Sequence, residues 1–275
     1  MIFLAAAILA AAPAKADDDL LEHVIVTATR RSTDVAELSA AISTADSEAV
    51  MSQKLATDAL QSLPGVYLQQ TTPGQGAAII RGLKGSAILH LVDGMRLSNA
   101  MFRTAPTPWF ALVPATSVER LEIIRGTPAS LYGSEAVGGV VQSVSRMPEF
   151  DSEEISYKRD LFVGFDTAEL QQSIRATLDV GTQRLAASVS AEYLETGDRR
   201  TGGGERIGPS GYTSKALRAV VHGTPTDYRS WFIDLHFLEQ PKTPRIDELV
   251  AGYGQDEPSS SEFCLLYTSD AADDL

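Results

Sequence analysis

The sequence contains a single cysteine, Cys264, in 275 residues. An intrachain disulfide is therefore excluded, and stability must come from core burial or from a closed barrel. Basic residues are also scarce, and the formal net charge is -13. Nucleic acid binds to basic surfaces, so we expect no nucleic-acid partner. After residue 16 no apolar run approaches the roughly 18 residues of a membrane-spanning helix, so any membrane span must be made of β-strands.

The glycine-rich residues 121–145, LEIIRGTPASLYGSEAVGGVVQSVS, lack the motifs that bind phosphate. Counted from Gly133, a P-loop would need Lys and then Ser or Thr where Gly139 and Val140 stand, and neither G-x-G-x-x-G nor G-x-S-x-G occurs. No nucleophile, base and orienting residue have a recognisable spacing, and no His/Cys cluster has metal-ligand spacing. We therefore predict no catalytic residue, no metal site and no cofactor, and a periplasmic enzyme is the weakest alternative.

The two ends of the chain differ in character from the rest. Residues 1–16, MIFLAAAILAAAPAKA, form an apolar run that ends in a small-x-small pattern, typical of a secretory signal peptide and its cleavage site. A buried helix is the alternative. Residues 264–275, CLLYTSDAADDL, show no turn signal or charge pattern that joins them to the preceding chain, and they resemble a translated sequencing adapter. We interpret them as an artefact, with an ordinary polar terminus as the alternative.

Short apolar runs and glycine turns alternate through residues 31–147, which we interpret as one small mixed α/β domain. The β-branched run at 24–29, next to an acidic segment, fits either an edge strand or a strand added to another protein's sheet. Residues 57–63 are predicted to form a short helix that ends at Pro64-Gly65. The run 87–92 is predicted to be a buried strand, with His90 as a hydrogen-bonded core residue rather than a ligand.

After residue 148 the pattern changes to period two. Apolar and polar residues alternate at 171–180 and again at 229–238, and short turns alternate with long loops at 195–211 and from 239. Strands of about ten residues with this loop pattern are typical of an outer-membrane barrel, and a soluble β-sandwich is the alternative. About five strands fit between 155 and 238, whereas bacterial barrels have at least eight, so we interpret the sequence as a fragment.

Together these segments resemble the TonB-dependent outer-membrane receptors. The resemblance is carried by EHVIVTATR at 22–30, LPGV at 63–66, IIRGL at 79–83, LVDGMRLSN at 91–99 and VERLEIIRGTPASLYGSEAVGGVV at 118–141. It implies an α+β plug domain at 31–147, after an N-terminal segment at 17–30, and then the first strands of an incomplete antiparallel transmembrane β-barrel at 148–263. The sequence RGTPAS departs from the family, which commonly has proline directly after the RG pair.

The resemblance also implies roles for particular residues. The TonB box, which binds a TonB-type energy-transducing protein, comprises Val24, Ile25, Val26, Thr27, Ala28 and Thr29. Arg81 and Arg125 are expected to face carboxylates on the inner barrel wall that lie beyond residue 263. An apical plug loop is expected to contact the ligand through Arg96, Asn99, Phe102, Arg103 and Trp109, although packing on the barrel wall is an equal alternative for each of them.

The function implied by the resemblance is active uptake of a scarce small molecule by a protein that lies in the outer-membrane lipid of a Gram-negative bacterium. An iron chelate (siderophore) or haem is the first candidate ligand. Uptake of cobalamin or a glycan by the same mechanism remains open, and so does a passive outer-membrane pore. A surface-signalling receptor, which would need an extra domain before the box, is a further alternative.

Overall fold

The computed structural model describes residues 25–26, 33–34, 41–70, 74–97, 109–133, 135–226, 229–244 and 260–272. In this part of the chain a five-stranded mixed sheet lies within residues 41–145 and a six-stranded antiparallel sheet within residues 156–272. No helix among the described residues has the length and apolar content needed to cross a membrane.

The N-terminal block, residues 41–147, is built from short elements and is preceded by two very short strands. The strands up to residue 145 are β1 (Ile25–Val26), β2 (Thr33–Asp34), β3 (Ala41–Asp46), β4 (Val66–Gln69), β5 (Ala77–Ile80), β6 (Ile88–Val92), β7 (Met95–Arg96), β8 (Val118–Arg125) and β9 (Gly139–Ser145). The helices are α1 (Ser47–Met51) and α2 (Ala129–Tyr132), with 3₁₀ turns at Ala56–Ser62, Gly85–Ala87, Trp109–Leu112 and Ala115–Ser117. The helix predicted at 57–63 is therefore a 3₁₀ helix that begins one residue earlier and ends at Ser62.

The sheet of the N-terminal block has the strand order β3-β8-β9-β6-β7. Core residues lie on its three inner strands, β8, β9 and β6. Leu121 and Ile123 on β8 are fully buried, and the intervening Glu122 is also buried, where its carboxylate accepts a hydrogen bond from Arg120 Nε at 2.8 Å. His90 on β6 lies in the same core, with its ring centroid 5.7 Å from that of Phe110. The prediction of a buried strand with His90 in the core is confirmed, but His90 Nε2 has no hydrogen-bond partner among the described residues.

The glycines of the motif at 121–145 allow backbones to approach closely. Gly139 has φ +153°, and a Cβ at this position would lie 2.6 Å from the carbonyl oxygen of Ile124 on the neighbouring strand. A side chain here would force β8 and β9 apart or strain the backbone, so glycine is required for the pairing of these strands.

The second sheet, here called the wall, follows the N-terminal block. Its strands, together with a short hairpin, are β10 (Ser156–Asp166), β11 (Gln171–Gly181), β12 (Leu185–Thr196), β13 (Arg199–Arg200), β14 (Arg206–Ile207), β15 (Tyr212–Thr226), β16 (Arg229–Pro244) and β17 (Ser260–Ala272). The wall order is β10-β11-β12-β15-β16-β17, a simple antiparallel meander, and β13 pairs with β14 inside the loop after β12. β17 runs across residue 264, where the predicted artefact begins; the origin of that segment stays a prediction.

On one face the wall exposes many apolar side chains, and on the opposite face it buries polar ones. On β11 the exposed fractions of Ile174 and Leu178 are 51% and 46%, whereas those of Arg175 and Asp179 are 1% each. Exposed apolar residues also lie on β12, β15 and β16, among them Leu185, Val189, Leu217, Trp231, Ile233, Leu235 and Phe237. Against the block these strands also bury a few apolar residues, Leu194, Tyr212, Ala216 and Leu238. A soluble sandwich would bury its apolar face, so this inverted polarity is typical of a barrel wall that faces lipid on its outer side.

The strands of the wall end along two opposite edges of the sheet, and these two edges differ in the length of their connections. At one edge, here the short-turn edge, residues 182–184 join β11 to β12, and Thr226 at the end of β15 pairs with Arg229 at the start of β16. At the opposite edge, here the long-loop edge, lie the turn at 167–170 and the loop at 197–211 that contains the β13–β14 hairpin. This asymmetry gives the wall a direction along which its contacts with the N-terminal block can be ordered.

Candidate functional site

The N-terminal block packs against the polar face of the wall. Charged and polar side chains join the two at three levels: near the short-turn edge, at the middle of the strands, and at the long-loop edge. The residues that form these levels lie at inward positions of the wall strands or on loops of the block. We treat this interface as the candidate functional site.

Near the short-turn edge, four charged residues form what we call the foot cluster: Arg146, Asp179, Arg218 and Asp234. Arg146, which directly follows β9, donates from Nη1 and Nη2 to the two carboxylate oxygens of Asp179 at 3.1 and 2.5 Å. Arg218 Nη1 donates to the backbone carbonyl of Arg146 at 2.7 Å, and its Nη2 donates to Asp234 at 2.5 Å. The cluster therefore fixes the point where the chain leaves the block and enters the wall.

At the middle of the wall, one cross-strand ion pair contacts two separate parts of the block. Arg175 on β11 lies opposite Glu192 on β12, and Arg175 Nε is 3.4 Å from Glu192 Oε2. The Arg175 guanidinium donates to the backbone carbonyls of Met51, Gln53 and Lys54. Glu192 accepts a hydrogen bond from the backbone N–H of Thr116 at 3.4 Å. The pair thus joins the segment after α1 and the turn before β8 to the wall.

At the long-loop edge, a cleft of about 620 Å³ opens between the block and the wall. It is lined by Gln53, Lys54, Asp58, Gln61, Ser62, Gln70, Glu169, Arg199, Arg200 and Tyr212. Two contacts cross it: Lys54 Nζ lies 2.6 Å from Glu169 Oε2, and Arg199 Nη2 donates to Gln70 Oε1 at 3.0 Å. The cleft is therefore polar, of mixed charge, and bounded on both sides by groups that could bind a small polar molecule.

Burial raises the pKa of Asp58, which lines the cleft, and that of Asp93, which lies near the foot cluster. Hydrogen bonds from the backbone N–H of Leu55 at 3.3 Å and from Gln70 Nε2 at 2.9 Å oppose the rise at Asp58. The backbone N–H of Ser145 donates to Asp93 at 2.7 Å and has the same opposing effect. As the pH falls, Asp58 therefore takes up a proton sooner than an exposed carboxylate would, and the cleft loses negative charge.

The predicted TonB box is described only at Ile25 and Val26. These residues form β1, which pairs with β2 in the antiparallel register Ile25↔Asp34 and Val26↔Thr33. Val24, Thr27, Ala28 and Thr29 lie outside the described residues. The box and its partner remain predictions.

The two arginines predicted to face wall carboxylates lie in different surroundings. Arg125 Nη1 donates to Ser43 Oγ at 2.8 Å and to the carbonyl of Pro64 at 2.7 Å, both within the N-terminal block. Arg81 is exposed and has φ +51°. The proposed wall partners of both arginines lie beyond residue 263, so these contacts stay predictions.

Of the predicted apical loop, the structure describes Arg96 and the backbone of Trp109. Arg96 Nη2 donates to the carbonyl of Tyr132 at 2.7 Å, and its Nη1 lies 3.1 Å from Glu135. These contacts join β7 to the end of α2. Trp109 begins a 3₁₀ turn, and Asn99, Phe102 and Arg103 lie outside the described residues.

Sequence reasoning did not identify the residues that join the block to the wall. Arg175, Asp179, Arg218 and Asp234 all lie on the polar side of alternating strands, where a charged residue needs an internal partner. That signal was present in the sequence. Their partners are backbone carbonyls and residues distant in sequence, which the alternation alone does not identify. Within the described residues, no group of three or more His, Cys, Asp or Glu side chains could hold a metal ion.

The sequence is similar to a known protein family and to known transporters. Residues 34–140 match the family described as TonB-dependent Receptor Plug Domain. A vitamin B12 transporter, BtuB, from Photobacterium profundum is 32% identical over 133 residues, which cover 47% of this chain and 22% of the transporter. The chain thus spans about a fifth of the length of such relatives.

Solved structures resemble both the block and the wall. The copper transporter OprC aligns with a TM-score of 0.61 at 18% identity, covering 74% of this chain and 30% of that one. A mutant of the ferric enterobactin receptor PfeA from Pseudomonas aeruginosa aligns with a TM-score of 0.56 at 22% identity, covering 81% of this chain and 36% of that one. At these identities the likeness concerns the fold.

Proposed function

Since this chain is the plug domain and part of the barrel wall of a TonB-dependent receptor, we propose that the intact protein imports a scarce ligand across the outer membrane of a Gram-negative bacterium. In this account the ligand binds from the side of the long-loop edge, and the plug, which is the N-terminal block described above, closes the barrel until it is moved. The reaction is binding and gating, without bond making or breaking.

The observation that supports this function most strongly is the inverted polarity of the wall together with the plug on its polar face. Ile174 and Leu178 point outward on the same strand whose Arg175 and Asp179 contact the plug. An apolar outer face suits lipid, and a polar inner face suits a channel that a polar plug can close. The cleft at the long-loop edge lies where such a channel would open.

We propose that residues 24–29 pair with a TonB-type protein as an added strand. Among the described residues, β1 pairs with β2 through Ile25 and Val26 and their two partners, a short pairing that a longer added strand would replace at little cost in free energy. We also keep the proposal that Arg81 and Arg125 face wall carboxylates beyond residue 263 in the intact barrel. A guanidinium enclosed there would need such partners.

For the ligand we propose an iron chelate (siderophore) or haem. The cleft carries three cationic side chains, those of Lys54, Arg199 and Arg200, against the two carboxylates of Asp58 and Glu169. This small excess of positive charge, in a chain that is acidic overall, supports an anionic ligand. Cobalamin is the second candidate, because the sequence relatives of the plug include vitamin B12 transporters. We place the contacts of the apical loop at Arg96, Asn99, Phe102, Arg103 and Trp109.

The test is an uptake assay with the gene recovered in full from its source. Expressed in a bacterial strain that lacks its own receptors, the protein should accumulate one of three labelled probes: a ferric tris-catecholate siderophore, haem or cyanocobalamin. Accumulation should stop when a proton ionophore removes the energy source, while surface binding persists. Uptake that continues with the ionophore present would identify a passive pore instead.

A further inference from the structure

We propose that the segment 52–54 connects the cleft with the Arg175–Glu192 pair, so that a ligand that separates Lys54 from Glu169 also weakens the hold of the wall on the plug. The proposal rests on the proposed gating function and adds to it the route by which an occupied cleft loosens the closed plug. Its basis is that the same residues take part in both contacts. Arg175 and Glu192 act here as positioning residues, because they do not line the cleft.

Arg175 binds backbone carbonyl oxygens at the end of α1 and just after it. This helix ends at Met51, and its capping hydrogen bonds, from Ser52 N to Glu48 O and from Gln53 N to Val50 O, leave the carbonyls of Met51, Gln53 and Lys54 available. Arg175 Nη2 donates to Gln53 O at 2.8 Å and to Lys54 O at 2.9 Å. A cation at a helix C-terminus interacts favourably with such carbonyls, and here it is supplied by the wall instead of by the helix itself.

On the cleft side, the side chains of the same residues face the opening. Gln53 and Lys54 both line the cleft, and the Lys54 ammonium lies 2.6 Å from Glu169 and 3.8 Å from Asp166 at the β10–β11 turn. Lys54 is therefore attached to the wall twice, through its side chain to the turn and through its carbonyl to Arg175. Both attachments belong to one residue, so a ligand that draws the ammonium beyond the reach of its flexible four-carbon side chain pulls on the backbone that carries the carbonyl.

The fixed geometry of Arg175 makes this connection sensitive. Its guanidinium is fully buried, lies over the ring of Phe162 at 5.4 Å and is paired with Glu192, so it cannot follow a moving segment. An anionic ligand group that draws the Lys54 ammonium toward the centre of the cleft would lengthen the hydrogen bonds to Gln53 O and Lys54 O. Those bonds involve a charged donor, and losing them is worth roughly tenfold or more in the opening equilibrium of the segment.

The foot cluster does not take part in this connection. Arg146 and Arg218 bind at the short-turn edge, on the far side of the Arg175–Glu192 pair along the wall. Loosening of 52–54 therefore leaves the exit of the plug chain attached. The plug is thus attached to the wall in two ways: the attachment at 52–54 responds to the ligand, and the attachment through the foot cluster does not.

The experiment measures hydrogen exchange in the full-length receptor in detergent, without ligand. The reporters are the amides of Ser52, Gln53 and Leu55, which donate to Glu48 O, Val50 O and Asp58 Oδ2. Four receptors are compared with the wild type: Glu169→Gln, Arg175→Lys, the double variant, and the control Arg184→Gln, which removes an exposed arginine that donates to Pro225 O at the short-turn edge.

We expect the reporter amides to exchange about tenfold faster in Arg175→Lys and several-fold faster in Glu169→Gln, within the usual range of coupling between sites. The reporter amides of the double variant should exchange little faster than those of Arg175→Lys alone, because in Arg175→Lys the segment 52–54 is already released from the wall. Arg184→Gln should match the wild type. Effects that multiply in the double variant, or wild-type exchange in Glu169→Gln, would overturn the proposal.

Two features keep this test independent of other outcomes. Glu169 lies on the turn between β10 and β11, outside the core, so Glu169→Gln remains informative even if Arg175→Lys does not assemble. Exchange is read without ligand and without an energy source, so it tests the connection even if the uptake assay finds a passive pore. A loss of exchange protection throughout the plug in either variant would indicate a purely structural role and would also overturn the proposal.

Discussion

Arg146 and Asp179 form a two-point ion pair, with N–O distances of 3.1 and 2.5 Å, between the last residues of the plug and strand β11 of the wall. The Asp179 side chain is 1% exposed, whereas that of Asp160, whose carboxylate lies 3.6 Å from the same arginine, is 68% exposed. Two acids thus share one cation in very different surroundings. The buried pair, together with Arg218, determines where the plug chain enters the barrel.

We predict that Asp179→Asn destabilises the folded receptor by about 1–3 kcal/mol, since Arg146 then loses its charged hydrogen-bond acceptor inside the barrel. Asp160→Asn is the matched control and should cost at most about 0.5 kcal/mol, because exposed ion pairs contribute little. Thermal unfolding of the purified receptor in detergent measures both. Equal effects of the two substitutions would show that burial of the pair does not matter.

The outward face of the wall gives a second prediction. Leu178→Lys should reduce assembly in the outer membrane, because a charged side chain on the lipid face of a barrel costs up to roughly 2–4 kcal/mol, with the largest cost at the middle of the bilayer. Gln183→Lys introduces the same group at the exposed turn between β11 and β12 and should assemble normally. The amount of folded receptor in outer-membrane fractions is the measurement. Normal assembly of Leu178→Lys would contradict a lipid-facing wall.

The buried His90 makes plug stability depend on pH. Burial lowers the pKa of His90 to about 4 from 6.5. Because the folded plug binds this proton more weakly than the unfolded chain, the contribution of His90 is complete above about pH 6.5 and is lost as the pH falls toward 4, by about 1.4 kcal/mol per pH unit.

Protection of the β8 amides in the intact receptor, corrected for intrinsic exchange rates, should therefore decrease by about 2 kcal/mol between pH 7 and pH 5. His90→Leu should remove most of this decrease, since no proton can then bind at that position. The same decrease in both proteins would assign the pH dependence to other groups.

Residues 264–275 remain predicted to be foreign to the gene. Amplifying the gene again from source DNA should replace CLLYTSDAADDL with further barrel sequence. The same codons followed by a stop codon would contradict the prediction, and strand β17 would then be native wall.

Much of the fold could be predicted from the sequence because period-two alternation directly reports the two faces of a strand. The alternation at 171–180 correctly separates Ile174 and Leu178 from Arg175 and Asp179. The β13–β14 hairpin was missed, because its short strands lie in a glycine-rich loop without alternation.

The candidate site was harder to predict. The hydrogen-bond acceptors of Arg175 are backbone carbonyls that any sequence would provide, and its ion-pair partner Glu192 is identified only once β11 and β12 are aligned. Conversely, Arg125 was assigned to the wall by resemblance, and its described hydrogen bonds remain within the plug, to Ser43, Pro64 and Ile42. Resemblance identified the family, but it did not identify the described contacts between plug and wall, and the wall contacts expected of Arg81 and Arg125 stay predictions.

The central claim, energy-coupled import through a plugged barrel, is tested most directly by Ile25→Pro in the full-length receptor. Proline removes a backbone N–H and cannot take part in a strand pairing that needs it, so the N-terminal segment should no longer bind the energy-transducing protein. Ile25→Val keeps the backbone and the β-branched side chain and is the control. We predict that Ile25→Pro binds the transported probe at the cell surface like the wild type but does not accumulate it, whereas Ile25→Val does both. Accumulation by Ile25→Pro at the wild-type rate would contradict the account.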